Sequence, residues 1–166
     1  MKIGRVMAFI FFLFLFSCSK GGLLVSVPDN YRNWSQTAEG ILDTPISGHT
    51  SPYRRIFIND TAERVNFDGE RNAYVYPKGS IILKEILPAP DAVPEAFTIM
   101  LKDPENRYAL GGWVWLIKDP GSGKETIVDN DFCFSCHVYA NEIHNYGDMN
   151  PQGQDRDYVF YPYIKK

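Results

Sequence analysis

Hydrophobic and polar positions along this chain change their rhythm three times. Lys2 and Arg5 precede an unbroken apolar run over residues 6–16, too short for a spanning helix of about 20 residues but ordered like a secretory signal segment. Residues 19–28 show little periodicity. Asp29 or Asn30 can then cap a short helix in which Tyr31, Trp34 and Ala38 share a face, ended by Gly40. From residue 55 the repeat is that of strands: Ile56 and Ile58 alternate with Arg55, Phe57 and Asn59. Residues 80–87, between Pro77-Lys-Gly79 and Pro88, separate into Ile82, Lys84 and Ile86 on one face and Ile81, Leu83, Glu85 and Leu87 on the other. Residues 97–102 and 112–118 are rich in β-branched and aromatic side chains and are closed by Asp-Pro turns at 103–104 and 119–120. Near the C-terminus Asp129-Asn-Asp131 offers three capping residues for a helix from 132 to about 143, with Gly147 just beyond it. Residues 157–160 read as a last strand or a packed extension. The prediction is an α+β fold, mainly an antiparallel β-sheet with a few helices, one of them close to the C-terminus.

Composition alters this picture chiefly at the start. Leu15-Phe16-Ser17-Cys18 resembles the bacterial lipobox, in which the cysteine is acylated and becomes the new N-terminus. The expected organisation is therefore a signal peptide over residues 1–17, a lipid-anchored tether over 18–29, and one domain over 30–166. That places the protein in the bacterial cell envelope, as a lipoprotein facing the periplasm or the cell surface, with the membrane as a partner through Cys18. The chain has 17 Lys and Arg against 20 Asp and Glu. Removing Lys2 and Arg5 leaves the mature chain at a net charge of −5, which argues against nucleic acid as a partner. Its ten Tyr, three Trp and remaining Phe can bury a flat apolar cofactor.

The chemistry is concentrated in Cys133-Phe-Ser-Cys136-His137. C-x-x-C-H is a c-type haem attachment motif. On one helical turn the two thiols can reach two porphyrin vinyl groups and become thioethers, while His137 is brought under the iron. One covalent haem c is the expected cofactor, held by Cys133 and Cys136 with His137 as the metal ligand. Three rivals are weaker. A zinc site would have to recruit His49 and His144, and adjacent Cys136 and His137 suit a tetrahedral ion poorly. A thioredoxin-like redox pair gives no role to His137, and a surface disulfide gives none either. Whether the iron is open on its far side decides between ligand binding and electron transfer. In the mature chain only Met100, within a strand pattern, and Met149, in a Gly, Asn and Pro-rich turn, could supply a thioether. An open position is the preferred reading.

In order along the chain, Tyr31-Arg-Asn-Trp34, Arg55-Ile-Phe-Ile-Asn59, Tyr76-Pro-Lys-Gly-Ser-Ile-Ile-Leu-Lys-Glu85, Met100-Leu-Lys-Asp103, Gly111-Gly-Trp113, the haem motif and Asp157-Tyr-Val-Phe160 together resemble the cytochrome P-460 family, which includes the cytochromes c′-beta. The resemblance implies a mainly antiparallel β domain, a homodimer, and a five-coordinate haem that binds or processes nitric oxide or hydroxylamine. In hydroxylamine-oxidising members a lysine is linked to the porphyrin, and a distal arginine and glutamate assist. By resemblance Lys84 corresponds to that lysine, and Arg55, with Arg54 as the alternative, to the arginine; these are the candidate catalytic residues. The acid is missing from its expected place, where the sequence reads Val114-Trp115-Leu116-Ile117, and Glu95 and Glu105 lie in turns. A nitrogen-oxide or gas ligand and a periplasmic electron-transfer partner are expected. The alternative is an electron-transfer cytochrome c with a six-coordinate haem.

Overall fold

Strand register decides which of these side chains meet. The computed structural model describes Val25 and residues 27–44 and 51–165; the apolar leader, Cys18 and His49 lie outside the described residues. In chain order the strands are β1 (Ser35–Gln36), β2 (Tyr53–Ile58), β3 (Asn66–Asp68), β4 (Ala73–Val75), β5 (Ile81–Leu87), β6 (Ala96–Lys102), β7 (Trp113–Lys118) and β8 (Glu125–Ile127), followed by helix α1 (Phe132–His137). Six of them form one sheet in the order β1-β2-β5-β6-β7-β8, antiparallel throughout, and β3 pairs with β4 in a separate hairpin. The fold is α+β, and the four strands expected from alternation are present to within two residues.

Side-chain period and register give the sheet two distinct faces. On the first, Ile58, Ile82, Met100 and Trp115 stand side by side and are at most 7% exposed. Trp113 and Val159 complete that core, and Cys133, Phe134 and Tyr158 pack against it. On the second face Phe57, Leu83, Ile99 and Leu116 make a second core with Phe97 and Val25. Each fully buried side chain of this kind contributes about 1.5–3 kcal/mol, so both faces are anchored.

Where structure and expectation differ, tertiary pairing is the cause. The helix expected after Asn30 shrinks to one 3₁₀ turn, Tyr31–Asn33. Ser35 and Gln36 instead pair with Ile58 and Phe57, covering the edge of β2, while Tyr31 packs edge-on against Phe57 and Phe97 on the second face. The C-terminal helix stops at His137, continues as a 3₁₀ turn, Val138–Asn141, and becomes extended at Glu142. The side chain of Asn141 accepts the amides of Arg156 and Tyr158 from the crossing tail. That tail is the packed extension, not a strand: Asp157 and Tyr158 have φ of 51° and 66°. Val25, within the expected tether over residues 18–29, is 1% exposed. Its amide donates to Glu125 (3.3 Å) and its carbonyl accepts from Lys118 (2.8 Å).

Candidate functional site

Helix α1 presents Cys133 and Cys136 three residues apart, hence on one side of the helix. Asn130 Oδ1 accepts the Phe132 amide at 3.0 Å and the Asp131 carbonyl accepts that of Ser135 at 2.7 Å, which seats the first turn. No disulfide joins the two cysteines, of which Cys133 is half-buried and Cys136 exposed. Behind them Phe134 packs on the Tyr158 ring, 5.2 Å between centroids, and Ala140 is fully buried.

His137 is fixed more tightly than a helix end alone would achieve. Its ring lies edge-on to Trp115 at 4.7 Å and to Phe160 at 5.5 Å. Nδ1 is 2.8 Å from the carbonyl of Tyr158; a carbonyl only accepts, so Nδ1 carries the proton and Nε2 the lone pair. Burial, and to a lesser degree the positive charge of Lys84, push this imidazole down to about 4, against the opposing pull of the Tyr158 carbonyl. The ring is therefore neutral at physiological pH, with one nitrogen anchored and the other a donor, as a metal-binding histidine requires.

Lys84 faces the same space from the sheet. It lies on the first face in the row Ile56, Lys84, Thr98, Ile117, next to the row that α1 and the tail cover. This second row is open toward its β7 end: Ile117 is 43% exposed, and Lys84 and Thr98 keep part of their surface accessible. Burial lowers the Lys84 amine to about 7, helped by the charge of Arg54 and opposed by the thiols of Cys133 and Cys136. Lys84, Arg54, both cysteines and His137 thus share one electrostatic neighbourhood. Arg54 is 2% exposed and donates from Nη1 to the carbonyls of Thr44 (2.5 Å) and Pro52 (2.7 Å); burial lowers its pKa as well.

Arg55 does not belong to this group. It projects from the opposite face of the sheet, where it pairs with Glu85 (3.4 Å) and donates to the Pro90 carbonyl (3.0 Å). Strand alternation allows only one of two successive arginines on the face of Lys84, and register selects Arg54. The row beside Lys84 consists of Ile56, Thr98 and Ile117. Glu105 is exposed and bonds Lys78, and Glu95 is exposed at the start of β6. His144 is 5% exposed, with Nδ1 against the Glu142 carbonyl (3.0 Å) and Nε2 against Asp148 (3.3 Å).

The donor set fits a covalent haem. Two thiols lie on one helical side, an imidazole has a free Nε2, and an apolar strip of sheet with an exposed isoleucine stands beside them. Zinc fits less well: among the described residues no group of three or more His, Cys, Asp or Glu could hold a metal, and both nitrogens of His144 are engaged. A thioredoxin-like pair would need a βαβ unit, whereas every strand pairing in these two sheets is antiparallel. Sequence reasoning missed Trp115, Phe160, Asn141 and the Tyr158 carbonyl. The two aromatics carried only a core signal, and a backbone carbonyl leaves no trace in residue type. Comparison with curated proteins finds none that matches. The family model described as Cytochrome P460 matches residues 28–161, most of the chain, so the chain belongs to the cytochrome P460 family and carries covalently attached c-type haem.

Proposed function

We propose that this protein is a lipid-anchored cytochrome of the bacterial cell envelope that binds or processes nitric oxide or hydroxylamine at a five-coordinate haem. The observation that carries this reading is His137, whose Nδ1 is committed to the Tyr158 carbonyl, which leaves Nε2 as the donor, and whose imidazole stands in the field of Lys84. Cys133 and Cys136 would hold the porphyrin through thioethers and His137 the iron. When bound, haem would supply a redox-active iron to which a small nitrogen oxide can bind. Near neutral pH the Lys84 amine, at about 7, is shared between its two protonation states and can donate or accept a hydrogen bond. The row around it offers no carboxylate to take protons from hydroxylamine, which favours a neutral ligand such as nitric oxide.

The two candidate thioethers support an open position. Met100 is 7% exposed within the core row beside Trp115, and Met149 is 58% exposed in a turn whose carbonyl is bonded by Arg156. Titrating the reduced protein with nitric oxide or carbon monoxide should change its visible spectrum with single-site saturation. A low-spin spectrum indifferent to nitric oxide in both redox states would instead establish the electron-transfer cytochrome. The anchor is tested by fractionation: Cys18→Ala should move the protein out of the membrane fraction or leave its leader uncleaved.

A further inference from the structure

The tail that crosses behind α1 contains two successive non-glycine residues in the left-handed region, Asp157 at φ 51° and Tyr158 at φ 66°. A bulky aromatic residue adopts that conformation only where its surroundings enforce it, and bonds from distant parts of the chain hold this turn. The Asp157 carboxylate takes both oxygens to within 2.6 and 2.7 Å of the Lys102 ammonium, in a pair whose side chains are 12% and 14% exposed. The same carboxylate accepts from Trp113 Nε1 at 3.2 Å and from the Tyr76 amide at 3.3 Å. The peptide joining Asp157 to Tyr158 is held on both edges. Its oxygen accepts from Trp113 Nε1 at 2.9 Å, and its N–H donates to Asn141 Oδ1 at 2.9 Å. The next carbonyl, that of Tyr158, meets His137 Nδ1.

We propose that Asp157 is a positioning residue for the proximal histidine: clamped by Lys102 and Trp113, it holds the strained Asp157-Tyr158 turn that aims the Tyr158 carbonyl at His137 and so sets the donor strength of the imidazole toward the haem iron. The inference rests on the reading of His137 as the iron ligand. A carbonyl that accepts Nδ1–H fixes the tautomer and ring plane and makes the opposite nitrogen a stronger base. A buried ion pair is by itself weak evidence for a stabilising role. Here the pair lies one residue from the carbonyl that meets the ligand, and one of its clamps, Trp113, grips both the side chain and the backbone of Asp157. Aspartate and asparagine are also the non-glycine residues that tolerate the left-handed region best, which separates the two contributions of this side chain. Asp157→Asn keeps the conformational tolerance and loses the charge, whereas Asp157→Ala loses both.

The test is the iron–histidine stretching band of the ferrous, haem-loaded protein, read by resonance Raman for the parent, Asp157→Asn, Asp157→Ala and Lys102→Met. The band should move to lower frequency in all three variants and furthest in Asp157→Ala. Glu85→Gln, on the other face of the sheet, should lower stability and leave the band where it is. An unshifted band in Asp157→Asn and Lys102→Met overturns the proposal even if Asp157→Ala fails to accumulate. If the parent shows no such band, and His137→Gly leaves the haem spectrum unchanged, the ligand assignment itself falls, an outcome distinct from a band that is present but insensitive.

Discussion

Gly111 is where one added methyl group should do most harm. It adopts φ +64°, and a Cβ there would lie 2.6 and 2.9 Å from two atoms of the Tyr158 ring and 2.9 Å from the Phe134 ring. An L-residue in the left-handed region costs about 1–2 kcal/mol, and forcing a methyl into a packed site about 1–3 kcal/mol more. Tyr158 has little room to retreat, because its N–H is bonded to Asn141 and its carbonyl to His137. Gly111→Ala should therefore cost roughly 2–5 kcal/mol. Gly40 provides the control: its φ is +73°, and a Cβ there would meet nothing within 4 Å, so Gly40→Ala should cost only the conformational part, about 1–2 kcal/mol. Denaturation midpoints of both variants give the difference, at about 2–4 °C per kcal/mol for a chain of this size. The yield of covalent haem should fall for Gly111→Ala alone, since Phe134 sits between the two cysteines. Equal losses for the two variants would refute the argument, because they would mean that the aromatic pair yields without cost.

Lys84→Met should stabilise the protein, in a pH-dependent way. The native amine binds its proton only below about 7 and the unfolded one already below about 10.4. The destabilisation is therefore complete below pH 7, shrinks as pH rises and vanishes above the unfolded pKa. Its ceiling is about 5 kcal/mol, reduced because Lys84 keeps some contact with water; denaturant titrations at pH 6 and 9.5 should show the advantage of the variant narrowing, and a constant advantage would contradict the burial argument. Glu85→Gln removes a fully buried charge bonded by Tyr31 (2.5 Å), Arg32 (2.8 Å) and Arg55 (3.4 Å). With Arg32 53% exposed, the loss should be about 1–2 kcal/mol in a thermal melt, without change in haem content. Acid-acetone should leave haem on the parent polypeptide and extract it from the Cys133→Ser, Cys136→Ser double variant; extraction from the parent would rule out thioether attachment.

The parts of this molecule legible in its sequence are those where local pattern and tertiary demand agree. Alternation revealed β2, β5, β6 and β7 because each has a face that must be buried, and the parity of Ile82, Lys84 and Ile86 puts all three on one face of β5. Parity was no help at Arg54 and Arg55, since Ile56, Phe57 and Ile58 are all buried and only pairing with β5 settles which arginine accompanies Lys84. The hairpin of β3 and β4 was invisible for the opposite reason: Phe67 and Val75 are over 40% exposed, so its strands carry little alternation. The helix after Asn30 had a cap and an apolar stripe, yet the stripe was better spent on the second face of the sheet. In the site, the thiols and the imidazole announced themselves by spacing, whereas the carbonyl that orients the imidazole depends on a turn that only long-range bonds to Lys102, Trp113 and Asn141 create.

Val25 has a geometric consequence for the proposed anchor. It is pinned against the second face of the sheet, while α1 and Lys84 occupy the first. If Cys18 carries the acyl chains as proposed, seven residue steps separate the bilayer from that pin, a reach of at most about 25 Å. A domain of this length has a radius of gyration of about 14 Å, so the leash is shorter than the body it holds. Under that proposal the leash would limit how far the domain could turn, the sheet would stand between lipid and the face that carries α1 and Lys84, and that face would be turned outward, toward whatever diffuses through the surrounding aqueous compartment.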